Sequence, residues 1–242
     1  VKIETDHRLI NLFKRSFQVE KNFIPNTEIS QNKSLLRNID IIIFAGSLGR
    51  KFRQTKEDFY KNNYYLIPEK SLCKKMKLRL DRINSKPKIG ISWVSKNKKI
   101  GSGKSMNLKS LIGLFNIKKV SFVNLQYGDH SDEIKKFNIN NETDIIDLKD
   151  IDKFDDFENL AALLKSLDLL ITVSNTTAHL SGAIGAETWV MAPKSESLLF
   201  YWNTGEIKTP WYSSVKIFPK KTTWEDTIIK IKSELNKWIK KF

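Results

Sequence analysis

"DDFENLAALLKSLDLLITVSNTTAHLSGAIGAETWVMAP", residues 155–193, carries the fold in its spacing. Leu160, Leu163, Leu164 and Leu167 recur at helical intervals. Asp155, with Glu158 three residues on, has the form of a capping box at the helix start. The run "LLITV" follows without alternation, as in a strand covered on both faces. "SNTTAHLSGAIG" turns into a second helix closed by Gly185, and "ETWVMAP" reads as the next strand. This alternation of helix and strand predicts a mostly parallel sheet wrapped by helices.

The same alternation extends outward. "KIGISWV" (88–94), "VSFVNLQ" (120–126) and "TDIIDL" read as strands, and Leu108, Leu111, Ile112 and Phe115 line one face of a helix. "DEIKKF" is a short helix. Nearer the start, "VKIE" is a strand and "HRLINLFKRSF" a helix with Leu9, Leu12, Phe13 and Phe17 on one face. "NFIP" and "IDIIIF" (39–44) read as two further strands, the second fully buried. Pro68 opens a strongly basic helical stretch that "SKPK" closes, which marks a boundary between two parts. The expected organisation is 1–67, the latter part of a first Rossmann-like domain; 68–86, a linking helix; and 87–242, a second such domain. Its final segment, "TTWEDTIIKIKSELNKWIKKF", is one amphipathic helix capped by Thr223, with Trp224, Ile228, Ile231, Leu235 and Trp238 on its apolar face. Docking on the sheet is the preferred reading; a lysine-rich helix lying on a membrane surface, and so peripheral membrane association, is the other.

Composition bounds the partners. A hydrophobic content of 40% with 29% charged residues is that of a globular protein, not a disordered one. The single Cys73 forms no internal disulfide and suits a reducing, cytoplasmic setting. No apolar run is long enough to span a membrane. The opening "VKIETD", strand-like and without Met, reads as a piece of a longer polypeptide. The net charge of +15 is spread through the chain among Asn and Ile, without RNA-binding, zinc-ligand or helix-turn-helix patterns. Such diffuse charge reads first as compositional bias; a generally positive surface still favours an anionic ligand such as a nucleotide diphosphate, and a nucleic-acid partner rests on charge alone.

"KIGSGKS" (99–105) has the look of a nucleotide-hydrolase phosphate loop. That loop needs a glycine where this chain has Lys98, and it needs a strand running directly into a helix. Here several polar residues separate the strand from Gly103-Lys104-Ser105. A solvated basic loop, and a loop touching phosphate in another kind of nucleotide site, are the readings that remain.

"SNTTAH" is the stronger signal. A strand ends at Val173, and Ser174-Asn175-Thr176-Thr177 lead straight into a helix, whose first turn offers unpaired N–H groups and positive partial charge to a phosphate. Thr176 and Thr177 add hydroxyls; His179, kept neutral by the helix dipole, can donate one N–H. The plainer reading is that Ser and Asn only cap the helix and His179 is a half-buried structural histidine. His7 and His130 read as solvent-facing. Asp150-Ile151-Asp152 has the Asp-x-Asp form of metal-dependent glycosyltransferases but reads as a polar loop before a helix, with no metal site.

Residues 155–193, together with "FYWNTGEIKTPWYSSVKIF", "NLQYGD", "KIGISW" and, in the first part, "VKIETDHRLINLFKRSF" and "AGSLGRKFRQTKEDF", resemble the glycosyltransferases related to lipopolysaccharide heptosyltransferases and to tetratricopeptide-repeat O-linked N-acetylglucosamine transferases. That resemblance implies a GT-B-type α/β fold, two Rossmann-like doubly wound parallel sheets facing a cleft, with the first domain only partly present here. It also implies metal-independent transfer of a sugar from a nucleoside diphosphate to an acceptor, with no cofactor. By the same resemblance Asn175, Thr176, Thr177 and His179 contact the diphosphate, Asn175 standing where many members have Asp. Lys104 and Ser105 match an Arg-Ser pair beside the leaving diphosphate. Ser92 and Trp93 border the donor cleft, Gln126 lies near the base, and Asp156 and Asn159 lie near the ribose. The general base belongs to the missing part of the first domain. A module of this fold that binds nucleotide or a protein partner without turnover is the alternative.

Overall fold

The computed structural model describes residues 1–18, 23–59, 64–203 and 205–242. The first part holds strand β1 (Ile3–Thr5), helix α1 (Ile10–Phe17), strand β2 (Phe23–Pro25) and helices α2 (Asn26–Gln31) and α3 (Ala45–Phe52). β1 and β2 pair in parallel, Ile3 opposite Phe23. Helix α4 (Lys70–Ile83) leads into β3 (Lys88–Ser92), α5 (Gly101–Lys104), α6 (Ile112–Phe115), β4 (Ser121–Asn124) and α7 (Ser131–Asn141). Then come α8 (Phe157–Ser166), β5 (Leu169–Val173), α9 (Thr176–Ala183), β6 (Thr188–Ala192), β7 (Lys208–Thr209), β8 (Tyr212–Pro219) and α10 (Trp224–Trp238).

Six strands form one sheet in the order β4-β3-β5-β6-β8-β7, parallel throughout except where β7 runs antiparallel to β8. The uninterrupted apolar runs are explained by its two covered faces. Within β5, Leu170 packs with Leu80, Leu160 and Leu164, while its neighbours Leu169 and Ile171 pack with Leu114, Phe137, Ile231 and Leu235. α4, α8 and α9 cover one face; α6, α7 and α10 cover the other. The fold is α/β and Rossmann-like.

The terminal helix docks as its pattern predicts. Thr223 and Asp226 form a reciprocal capping box, and Ile228, Ile231, Leu235 and Trp238 are buried. α4 packs along α8 and buries Met76 and Leu80, so residues 68–86 supply a layer of the second unit rather than a free tether. Leu12 of α1 enters that same layer.

Four local expectations are corrected. "IDIIIF" forms no strand: Ile41, Ile42, Ile43 and Phe44 are 76, 67, 59 and 79% exposed. A buried parallel strand needs ladder partners, and among the described residues the two-stranded sheet β1–β2 extends none to it. "TDIIDL" contributes a single bridge, Ile146 to Val123, because Asn138 Oδ1 takes the Ile145 amide while Asn124 and Ser131 hold the Asp147 carboxylate. The cap of α8 is Asp156, accepting from the Asn159 amide at 2.9 Å, not Asp155. "DEIKKF" lies within a longer helix, α7. Asn22, read as the start of the second strand, lies outside the described residues.

Ile42→Ser and Phe44→Ser are each expected to change unfolding free energy by no more than about 0.5 kcal/mol. Leu235→Ala is expected to cost roughly 2–5 kcal/mol. Urea denaturation measures both, and a loss above roughly 1 kcal/mol at Ile42 would restore the buried strand.

Candidate functional site

The chain runs from β3 outward to β4 and then returns to β5 on the other side of β3. The order of strands reverses there, and in open α/β sheets such a switch point leaves a crevice at the carboxyl ends of the strands. A cavity of about 340 Å³ occupies it. Ser95, Lys96 and Asn97 follow β3 on one side, and Ser174, Asn175, Thr176 and Thr177 follow β5 on the other. Lys104 and His179 complete the polar wall, and Arg8, Tyr127, Lys153, Phe154, Phe157, Leu160 and Leu199 line the rest. No carboxylate is among the described residues that line it.

Each polar residue is held by its local sequence. Asn175 caps α9, its Oδ1 accepting from the Ala178 amide at 3.1 Å. The amides of Thr176 and Thr177 open the helix and have no intrahelical acceptor. Their hydroxyls bond to no described residue, and both line the cavity. Lys104 closes the short helix α5 at 3% exposure and lines the cavity, and no hydrogen bond or ion pair joins its ammonium to a described residue. Burial alone pulls its pKa below the ordinary value. An ammonium in that position lacks the counter-charge that buried cations normally have.

His179 is the second electrostatic element. Burial, and then the charge of Lys104, lower its pKa from 6.5 to about 4, so the imidazole is neutral at pH 7. Its Nδ1 lies 3.1 Å from the Tyr212 hydroxyl, and Trp202 stacks on its ring with centroids 4.8 Å apart. The Trp202 indole in turn donates to Ser174 Oγ at 2.9 Å, so the ring and the turn are braced together.

The residues predicted for this site thus divide in two. Asn175, Thr176, Thr177, His179 and Lys104 share the cavity. Ser92, Trp93 and Ser105 do not line it, and Gln126 lines a larger cavity beside it. Gln126 Oε1 accepts from Ser92 Oγ and from the amides of Trp93 and Val94, while Nε2 donates to the carbonyls of Val94 and Tyr127. No amide atom of Gln126 is left for a base. Ser105 Oγ accepts from the Ser95 amide and donates to the Gly101 carbonyl at 2.7 Å. Trp93 packs in the core. Asp156 and Asn159 bond to each other at the start of α8, outside the cavity.

The glycines of "KIGSGKS" have a packing cause. A Cβ at Gly101 would stand 2.3 Å from the Ser95 carbonyl oxygen, and one at Gly103 would stand 2.2 Å from Ser197 Oγ. The chain folds back on the strand exit there, and that is what sets Lys104 into the wall.

A second cavity, about 650 Å³, adjoins the first and shares Lys96, Lys153 and Phe154 with it. His130 lines it, 19% exposed, paired with Glu133 at 2.7 Å and edge-on to Trp93, instead of facing solvent. His7 is exposed. Asp150 forms a two-pronged pair with Arg79, and Asp152 caps the amides of Phe154 and Asp155, so each carboxylate has a structural occupation. Arg8 went unnoticed in the sequence. Its guanidinium binds Asp6 and the Phe154 carbonyl and lies over the rings of Phe154 and Phe157. Only the tertiary approach of the first part brings it there.

No protein-family model matches the chain. Protein FlbA of Caulobacter vibrioides is 26% identical over 253 residues, covering 96% of this chain and 40% of FlbA. The chain therefore spans about two-fifths of the length of that curated relative. Among solved structures, the ADP-heptose lipopolysaccharide heptosyltransferase II of E. coli superposes with a TM-score of 0.50 at 13% identity, over 78% of this chain and 58% of that one. A glycosyl transferase family 9 protein from Veillonella parvula gives 0.48 at 14%, over 69% and 46%. The heptosyltransferase likeness is one of fold. No helix of the described residues is long and apolar enough to cross a membrane.

Between pH 4 and 6.5 the unfolded chain binds a proton at residue 179 that the folded chain does not. The stability due to neutral His179 is therefore complete above about 6.5 and falls as the pH drops toward 4. Urea midpoints across that range are expected to decline less steeply in His179→Gln than in the unaltered protein; equal slopes would refute the buried neutral imidazole.

Proposed function

We propose that the chain forms the donor-binding part of a glycosyltransferase that moves a sugar from a nucleoside diphosphate to an acceptor without an obligatory metal. One observation carries this reading: Lys104, 3% exposed and with no counter-ion among the described residues, lines a cavity that also receives the start of α9. A diphosphate supplies the missing charge and accepts from the Thr176 and Thr177 amides and hydroxyls and from His179. The name of the fold relative, an ADP-heptose enzyme, supports the same donor class by analogy.

In the reaction the bond between the sugar's anomeric carbon and the diphosphate oxygen breaks, and the electron pair leaves with the diphosphate. Lys104 and the α9 donors stabilise that charge in the place a divalent cation takes in other transferases. The acceptor hydroxyl forms the new bond, and its proton passes to a general base that no residue of this chain is assigned to be. Acceptor class, whether protein, lipid or glycan, is set elsewhere.

Calorimetric titration of UDP, GDP and ADP in EDTA tests the donor reading. At least one is expected to bind, and Lys104→Met or Thr177→Ala to weaken it roughly tenfold to a hundredfold. Lys104→Met is also expected to raise the melting temperature of the ligand-free protein, because it removes an unpaired buried charge. Absence of binding in EDTA, or undiminished affinity in both variants, would overturn the proposal.

A further inference from the structure

His179 carries two nitrogens with different surroundings. Nδ1 faces the Tyr212 hydroxyl at 3.1 Å. Nε2 meets no protein group among the described residues, and the side chain lines the anion cavity. Which nitrogen holds the proton therefore decides what the cavity is offered: an N–H that attracts an anion, or a lone pair that repels it.

The ring cannot turn to evade the choice. Trp202 stacks on one face, Tyr201 meets it edge-on at 4.7 Å, and Tyr212 meets it edge-on at 5.8 Å. Tyr212 is itself fixed. Its ring lies against Gly182 of α9, where a Cβ would stand 2.5 Å from Tyr212 Cγ. Tyr65 stacks on it with ring centroids 6.5 Å apart.

We infer that Tyr212 is a positioning residue: its hydroxyl donates to His179 Nδ1, fixes the Nε2–H tautomer and so turns a neutral histidine into an anion donor. Between a phenol and a neutral imidazole the O–H to nitrogen bond is the stronger of the two possible bonds, since the phenolic oxygen's lone pair is delocalised into its ring and accepts weakly. The arrangement also supplies an N–H without adding a second cation beside Lys104. Gly182 is part of the device, because a Cβ there would collide with the Tyr212 ring. The consequence for affinity rests on the diphosphate reading of the cavity; the tautomer itself does not.

With only three histidines in the chain, nitrogen-15 NMR of histidine-labelled protein resolves the question, His179→Gln assigning the signals. The ligand-free protein at neutral pH is expected to show an amine-type shift at Nε2 and an imine-type shift at Nδ1 of His179. Tyr212→Phe keeps the packed ring and is expected to mix or reverse the two shifts. It is also expected to weaken binding of whichever of UDP, GDP or ADP the protein takes by about tenfold, with no further loss when His179→Gln is added. An imine-type Nε2 in the unaltered protein overturns the inference, as does Tyr212→Phe with unaltered shifts. If the unaltered protein binds none of the three nucleotides, the diphosphate reading falls and the shifts alone decide the tautomer.

Discussion

The side-chain amide of Gln126 joins the ends of the strands that define the crevice. Its oxygen collects the Ser92 hydroxyl and two successive amides beyond β3, and its nitrogen binds the carbonyls of Val94 and Tyr127. Ser92 in turn accepts from Asn175 Nδ2 at 2.9 Å, so the exits of β3, β4 and β5 form one buried network. A fully satisfied polar network in a low-dielectric interior is rigid, because any displacement leaves a buried group unpaired. The direction of the backbone from Trp93 to Asn97, and of the turn that opens α9, follows from it.

The same network explains why Asn stands at position 175. Its oxygen faces the Ala178 amide and its nitrogen faces Ser92. An aspartate would keep the cap but could not donate to Ser92, whose own proton is committed to Gln126. It would also add a negative charge to a wall whose other polar groups favour an anion. The cavity is thus polarised from two sides: Lys104, without an acceptor among the described residues, and a helix start whose first amides have no intrahelical acceptor. Each costs stability in the empty protein and is offset only when negative charge enters.

The sheet, its helical layers and the turn after β5 were legible in the sequence, because burial on both faces and helical spacing leave local marks. The pattern around Leu160 to Val173 specifies its own surroundings. The strand expected at "IDIIIF" was not, since an apolar run states that cover is wanted and not where it comes from. At the site, Asn175, Thr176, Thr177, His179 and Lys104 were found from helix-start chemistry, from one lysine after a flexible-looking loop, and from family resemblance. The supporting roles of Ser92, Ser105 and Gln126, and the presence of Arg8 and Tyr212, depend on contacts between residues far apart in the chain. Such contacts leave no periodic trace. The two glycines of "KIGSGKS" were visible as glycines, but the carbonyl of Ser95 that requires the first was not.

The division between a diffusely basic surface and one sheltered ammonium has a kinetic side. Charges on the +15 surface act through water over about 10 Å at ordinary ionic strength and draw an anion toward the molecule at a rate that added salt lowers. Lys104 lines the cavity at 3% exposure, where mobile ions screen poorly. Salt would then slow the arrival of an anionic ligand far more than it hastens its departure, and the time the ligand stays would be set by a single buried side chain.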